Sequence, residues 1–169
     1  MKTRLKSLAM LPLAAMFLAT ALAFAPAASA KEIHIAGGIE TLEDDVVTPP
    51  TMLVQLAGAG YACQLGHYVL SIDETVFLPT LASQGTIEID AGGGDKLFGT
   101  TVGQGTDTDD PNFVTVVEVN TITGGTGRFK GATGTITVHR LLDVPANSSV
   151  GAIVGTIKLP DTHQCGGKH

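Results

Sequence analysis

Aromatic and basic residues are scarce in this chain. It has no tryptophan, two tyrosines and six phenylalanines, and its ten lysines and arginines are outnumbered by sixteen aspartates and glutamates. The sequence shows neither a clustered basic stripe nor a set of stacking aromatics, and a negative net charge repels phosphate backbones. We therefore expect no nucleic-acid partner, and an anionic membrane surface is disfavoured for the same electrostatic reason.

Sustained helical patterning is also absent. From Lys31 onward, no apolar series at helical spacing runs without an interrupting glycine or proline, and the chain has 21 glycines and eight prolines. Short segments rich in valine, isoleucine, threonine and phenylalanine occur instead, and these residue types suit a pleated, half-buried surface. The composition therefore predicts an all-β fold.

The first thirty residues have the pattern of a secretory signal. Three basic residues stand within the first six positions, an apolar stretch runs from Leu8 to Ala25, and Ala28-Ser29-Ala30 supplies a cleavage site before Lys31. The alternative is an uncleaved anchor, because the stretch approaches the roughly 18 to 20 residues that span a bilayer. Pro26 and the small residues favour cleavage. We expect a secreted or periplasmic protein.

Removal of residues 1–30 leaves 139 of the 169 residues, a length typical of one domain with a single core. We predict one barrel domain over residues 31–169, with a flexible C-terminal tail. Three of the ten basic residues are lost with the signal, whereas all sixteen acidic residues remain. The formal charge therefore becomes −9. This charge favours solubility, and we expect no stable membrane insertion after cleavage.

Glycines and prolines divide the mature chain into roughly eight strand-like segments. Ile87 and Ile89 alternate with polar neighbours, as in a strand with one face toward water, and a return strand would carry Leu97 and Phe98 inward. Short strands at close spacing predict an antiparallel β-barrel, with a β-sandwich as the alternative. The barrel is preferred because closure removes exposed strand edges.

One acidic stretch and one glycine-rich stretch predict two different kinds of connection between strands. Glu43-Asp44-Asp45, followed by Pro49-Pro50, is typical of a solvated connection that ends the first strand. The run from Thr123 to Thr135 joins two strand-like segments, which predicts a β-hairpin with a turn at Gly124, Gly125 and Gly127. A phosphate-binding loop is disfavoured there because both flanks are strand-like, whereas such loops precede a helix.

Segments of the second half carry a resemblance to known proteins. The stretches are Gly94 to Thr100, Ile122 to Gly134 with its GGTGRFxGATG motif, and Gly155 to Ile157. They resemble a widespread group of exported bacterial proteins with no assigned activity. More distantly, the chain is similar to the barrel of dirigent proteins and allene oxide cyclases. The resemblance implies a barrel of that type or a calycin-like one, and it identifies no catalytic residue.

Candidate chemical groups are few. Cys63 and Cys165 are the two cysteines, and an even count in an oxidising compartment favours one disulfide over metal ligation with the tail histidines. His34, His67 and His139 lie on separate strands and could converge only inside a barrel. Asp107, Asp109 and Asp110 lack the closing glutamate of a calcium loop. We expect no metal and no cofactor.

A barrel of this size either fills its interior or holds one small guest. The leading hypothesis is an exported barrel that binds a small hydrophobic molecule or a surface partner without catalysis. The first alternative is a dirigent- or cyclase-like enzyme that orients a reactive apolar substrate, which requires an open pocket with at least two ionisable side chains. The second alternative is a purely structural, envelope-associated protein with a filled lumen.

Overall fold

A computed structural model describes residues 30–160 and contains one closed antiparallel barrel of eight strands, with each strand paired to its neighbours in sequence and the last paired to the first. The strands are β1 (Lys31–Thr48), β2 (Thr51–Ala62), β3 (Gly66–Phe77), β4 (Ala82–Asp90), β5 (Lys96–Asp107), β6 (Phe113–Gly125), β7 (Thr133–Asp143) and β8 (Ser148–Leu159). The predicted barrel is confirmed, and the alternative of a β-sandwich is wrong. The predicted signal lies outside the described residues apart from Ala30, and so does the predicted C-terminal tail beyond Pro160.

The barrel interior follows directly from the period of two along each strand. Ile87 and Ile89 are buried as the alternation predicted, and so are the aliphatic side chains at alternating positions of the other strands. Leu97 also points inward, but Phe98 is 41% exposed and the prediction for it is wrong, because adjacent strand residues face opposite sides of a sheet.

β1 is longer than the sequence suggested. It extends to Thr48 and pairs with β2 up to the turn at Pro49-Pro50. The interpretation of Glu43-Asp44-Asp45 as a solvated connection is therefore wrong. The three residues form ladder pairs with Leu56, Gln55 and Val54 of β2, and the alternation aims Glu43 and Asp45 toward the lumen.

The two ends of the barrel differ. The turns 63–65, 91–95 and 126–132 form the closed end, where a 3₁₀ helix (Gly127–Phe129) between β6 and β7 buries Phe129. Gly127 begins this helix with φ of +55°, a conformation that glycine adopts without strain. The turns 49–50, 78–81, 108–112 and 144–147 form the open end. Below the open end, the interior changes from aliphatic to charged.

Candidate functional site

Polar side chains occupy the lumen between the aliphatic core and the open end. They come from several strands that the closed barrel brings together, and each continues the inward alternation of its strand. The buried polar residues are Thr41, Glu74, Thr101, Glu118, Asn120, Arg140 and Ser149. The side chain of Glu43 is also only 2% exposed. We call Glu43, Glu74, Glu118 and Arg140 the lumen cluster.

Arg140 is the centre of the lumen cluster. Its Nε and Nη2 donate hydrogen bonds of 3.1 and 2.7 Å to Oε1 of Glu118, and its Nη1 donates to Oε1 of Glu43. Nη2 also lies 3.8 Å from Oε1 of Glu74, too far for a hydrogen bond. Arginine suits this position because its planar fork of donors can serve several carboxylates at once.

Two serine hydroxyls complete part of the hydrogen bonding around the cluster. Ser83 Oγ donates to Oε2 of Glu74 over 2.7 Å, and Nη1 of Arg140 donates to Oγ of Ser149 over 3.4 Å. Gly103 leaves room for this arrangement, since a Cβ there would collide with Oγ of Ser83 and would lie 3.2 Å from Cγ of Glu118. Buried oxygens without a hydrogen-bond partner among residues 30–160 include Oε2 of Glu118 and Oδ1 of Asp45.

The surroundings shift the pKa values of these groups. Burial raises the pKa of Glu74 to about 6, with repulsion from Glu118 adding to the effect. Burial likewise raises the pKa of Glu43 and of Asp45 against the attraction of Arg140. For Arg140, burial lowers the pKa, but attraction from Glu118, Glu43 and Glu74 outweighs it, so the net shift is upward. The guanidinium is therefore a permanent cation, and burial disfavours the charged forms of Glu43, Asp45 and Glu74 near it.

A cavity of about 220 Å³ lies between the lumen cluster and the open end. Its floor includes Glu43, Glu74 and Arg140, and Asp45 and Ser83 add polar groups to one side. Its remaining walls are mainly aliphatic: Met52, Val54, Val76, Leu81, Val114, Val116, Leu142 and Val144. An apolar enclosure with a few convergent polar groups is the usual form of a small-molecule site.

Sequence reasoning missed the lumen cluster, although a signal for it was present. In β3, Tyr68, Leu70 and Ile72 alternate with exposed residues, and the same alternation continues to Glu74. In β7, the inward series that includes Ile136 and Val138 continues to Arg140. Charged residues are rarely fully buried unless paired, so alternation alone could locate them inside without identifying their partners.

The residues predicted as structural sites lie at the closed end or outside the described residues. Cys63 is exposed in the turn after β2, and Cys165 lies beyond residue 160, so their disulfide stays a prediction. Gly124 and Gly125 are the last residues of β6, and Gly127 begins the 3₁₀ helix. None of these three glycines lines the lumen cavity.

The histidines and loop aspartates do not converge. His34, His67 and His139 are exposed on the outer face of the barrel. Asp107, Asp109 and Asp110 are exposed near the open end. Within residues 30–160, no group of three or more histidine, cysteine, aspartate or glutamate side chains has an arrangement that could hold a metal ion.

Comparison of the chain with protein-family models, curated proteins and solved structures found no match. The fold is therefore assigned from the strand pairing of the barrel alone, and no relative indicates an activity. In residues 30–160 no helix is long and apolar enough to cross a bilayer.

The raised pKa of Glu74 predicts a pH-dependent stability. The folded state holds the carboxyl proton more tightly than the unfolded chain, so the stabilisation is fully present below pH 4.5 and is lost as pH rises through about 6. Relative to Glu74→Gln, the wild-type free energy of unfolding should fall by about 2 kcal/mol between about pH 4 and 7. Urea unfolding of both proteins across this range measures the difference. The matched control is Glu40→Gln on the outer face of β1, which should change stability by less than about 0.5 kcal/mol. If the difference in free energy of unfolding between the wild type and Glu74→Gln did not change with pH, burial of this carboxyl would be contradicted.

Proposed function

We propose that this barrel binds a small, mainly aliphatic molecule in the lumen cavity, with the polar end of the ligand against the lumen cluster. The observation that carries the proposal is the combination of aliphatic walls and a charged floor in one cavity. A core that served stability alone would be expected to close such a space, because protein interiors pack to the density of organic crystals.

The cavity volume limits the size of the ligand. At about 220 Å³, the cavity is smaller than the roughly 300 to 1,000 Å³ of typical ligand pockets. One water molecule takes about 30 Å³ in the liquid, so the space corresponds to about seven water-sized groups. A six-carbon chain with one polar group has this size. The ligand would enter from the open end, where Leu81, Val144 and Asn147 belong to the turns that border the cavity.

A second candidate function is acid–base catalysis on a molecule bound in the same cavity, as in the dirigent- or cyclase-like alternative. The specific observation in its favour is Glu74, whose pKa of about 6 suits proton transfer near neutral pH. Arg140 lies beside it and could stabilise developing negative charge on a substrate. Recovery of a bound molecule unchanged after prolonged incubation favours binding alone, whereas its conversion favours the enzyme.

Under either proposal, the barrel binds its ligand or substrate outside the cytoplasm. This part of the proposal is supported by the signal pattern of residues 1–30. The strongly acidic mature chain is compatible with a soluble carrier or enzyme. A purely structural, envelope-associated protein has no need of the cavity, and failure to bind any small apolar probe would favour it.

A substitution that fills the cavity tests the proposal. Val116 lines the cavity from β6, and Val119 on the same strand is 40% exposed on the outer face. We expect hexan-1-ol to bind the wild type and Val119→Phe alike, and Val116→Phe to bind it at least about tenfold more weakly, since the added ring takes the ligand's space. Isothermal titration calorimetry measures the affinities, and circular dichroism checks that both variants fold. Equal binding by all three proteins would contradict a ligand site in the lumen.

A further inference from the structure

Charge in and beneath the lumen cavity is unbalanced. The titratable groups facing this space are Glu43 and Asp45 from β1, Glu74 from β3, Glu118 from β6 and Arg140 from β7. Four carboxyls thus surround one guanidinium, and among residues 30–160 the ion pairs of this cluster include no second cation. Their mutual repulsion disfavours the fully ionised state.

Several carboxylate oxygens in this region lack hydrogen-bond donors. Glu74 has a side chain only 2% exposed and lines the cavity, yet its Oε1 accepts no hydrogen bond from residues 30–160. Oδ1 of Asp45, another residue of the cavity wall, is buried without a partner. Beneath them, Oε2 of the fully buried Glu118 is also unpartnered. The site therefore offers carboxylate acceptors that the donors of Arg140 and Ser83 leave unsatisfied.

We infer that the lumen cavity is selective for small aliphatic amines, whose ammonium group binds beside Glu74 and Asp45. This inference rests on the proposed function. An ammonium group carries three donors, no acceptor and one positive charge. It therefore supplies donors for the unsatisfied carboxylate oxygens and a charge that offsets the excess of carboxyls over the single guanidinium. A hydroxyl supplies one donor and no charge, and a carboxylate adds further repulsion. The alkyl chain of the amine would contact the aliphatic walls toward the open end.

Three probes of equal chain length separate charge from apolar contact: hexan-1-amine, hexan-1-ol and hexanoate. At about pH 7.5 the amine is protonated, and we expect it to bind at least about tenfold more tightly than the alcohol, with hexanoate weakest. Lowering the pH to about 5 should weaken amine binding, because Glu74, with a pKa of about 6, is then mainly protonated, and should leave alcohol binding unchanged.

A neutral substitution identifies the carboxyl responsible. Glu74→Gln keeps the side-chain size but removes the charge, so amine affinity should fall about tenfold while alcohol affinity stays within about threefold. Glu40→Gln, on the outer face of β1, should alter neither affinity. Calorimetry on the purified protein and both variants gives all of these values.

The outcomes distinguish this inference from the proposed function. If hexan-1-ol binds and is excluded by Val116→Phe, but hexan-1-amine binds no more tightly than the alcohol, selectivity for amines is overturned and the cavity remains a ligand site. If amine selectivity survives Glu74→Gln and low pH, the ammonium does not bind at this carboxyl, which also overturns the inference. If none of the three probes binds, the proposed function itself fails.

Discussion

Replacing Arg140 with methionine should lower the free energy of unfolding by about 3–5 kcal/mol at neutral pH, because breaking a buried ion pair leaves uncompensated charge in the interior. Arg140 is 4% exposed and contacts Glu43 and Glu118 by hydrogen bonds, with Glu74 3.8 Å away. Methionine fills a similar space without the charge. Urea unfolding of the wild type and of Arg140→Met measures the loss.

The pH dependence of this variant separates lost charge from lost packing. Burial raises the pKa of Glu74 to about 6 and also raises that of Glu43, so protonation of these carboxyls should shrink the stability difference toward about pH 4, and the difference should grow as pH rises above about 6. Arg128→Met is the matched control, because the side chain of Arg128 is 48% exposed and its ion pair with Asp95 should contribute no more than about 1 kcal/mol. Equal, pH-independent losses in the two variants would show that Arg140 is not buried among carboxylates.

Replacing Phe129 with alanine should destabilise the barrel by a comparable amount, about 3–5 kcal/mol, because it removes a large buried side chain and leaves a cavity. Phe129 is 1% exposed and packs in the same core as Leu65 and Ala132 at the closed end. The guanidinium of Arg128 lies 4.7 Å from the centre of its ring, which adds a cation–π contact on the outer side. Thermal and urea unfolding measure the effect.

Phe77→Ala is the control for the loss of an aromatic ring. Phe77 is 43% exposed at the end of β3, so its removal should cost distinctly less than removal of Phe129. Because Phe129 lies at the end opposite the lumen cavity, hexan-1-ol affinity should persist in whatever fraction of Phe129→Ala remains folded. Similar stability losses for the two variants would contradict the role of Phe129 in closing the barrel.

The fold could be predicted from the sequence because its determinants are local. Alternation of Ile87 and Ile89 with polar residues, and glycines between strand-like segments, are each visible within a few positions. Closure of the sheet was chosen on the general cost of exposed edges, and the pairing of β1 with β8 agrees with it. The assignment of Phe98 to the inner face was wrong, since adjacent residues of a regular strand point to opposite faces and its neighbour Leu97 points inward.

The lumen cluster could not be predicted in the same way because its determinants are distant in sequence. Arg140 and Glu43 are 97 positions apart, and only barrel closure makes them neighbours. Glu43-Asp44-Asp45 resembles a solvated loop, since three successive acidic residues usually face water. What makes burial tolerable for Glu43 is a guanidinium from β7, and no local pattern reveals that partner.

A carbon-13 NMR titration of the glutamate side-chain carboxyls tests the buried cluster most directly. We expect at least one carboxyl to titrate near pH 6, to vanish from the spectrum of Glu74→Gln, and to shift toward lower pH when hexan-1-amine is added. Titration of every glutamate near the ordinary value of 4.5, with no response to the amine, would contradict a charged floor inside this barrel.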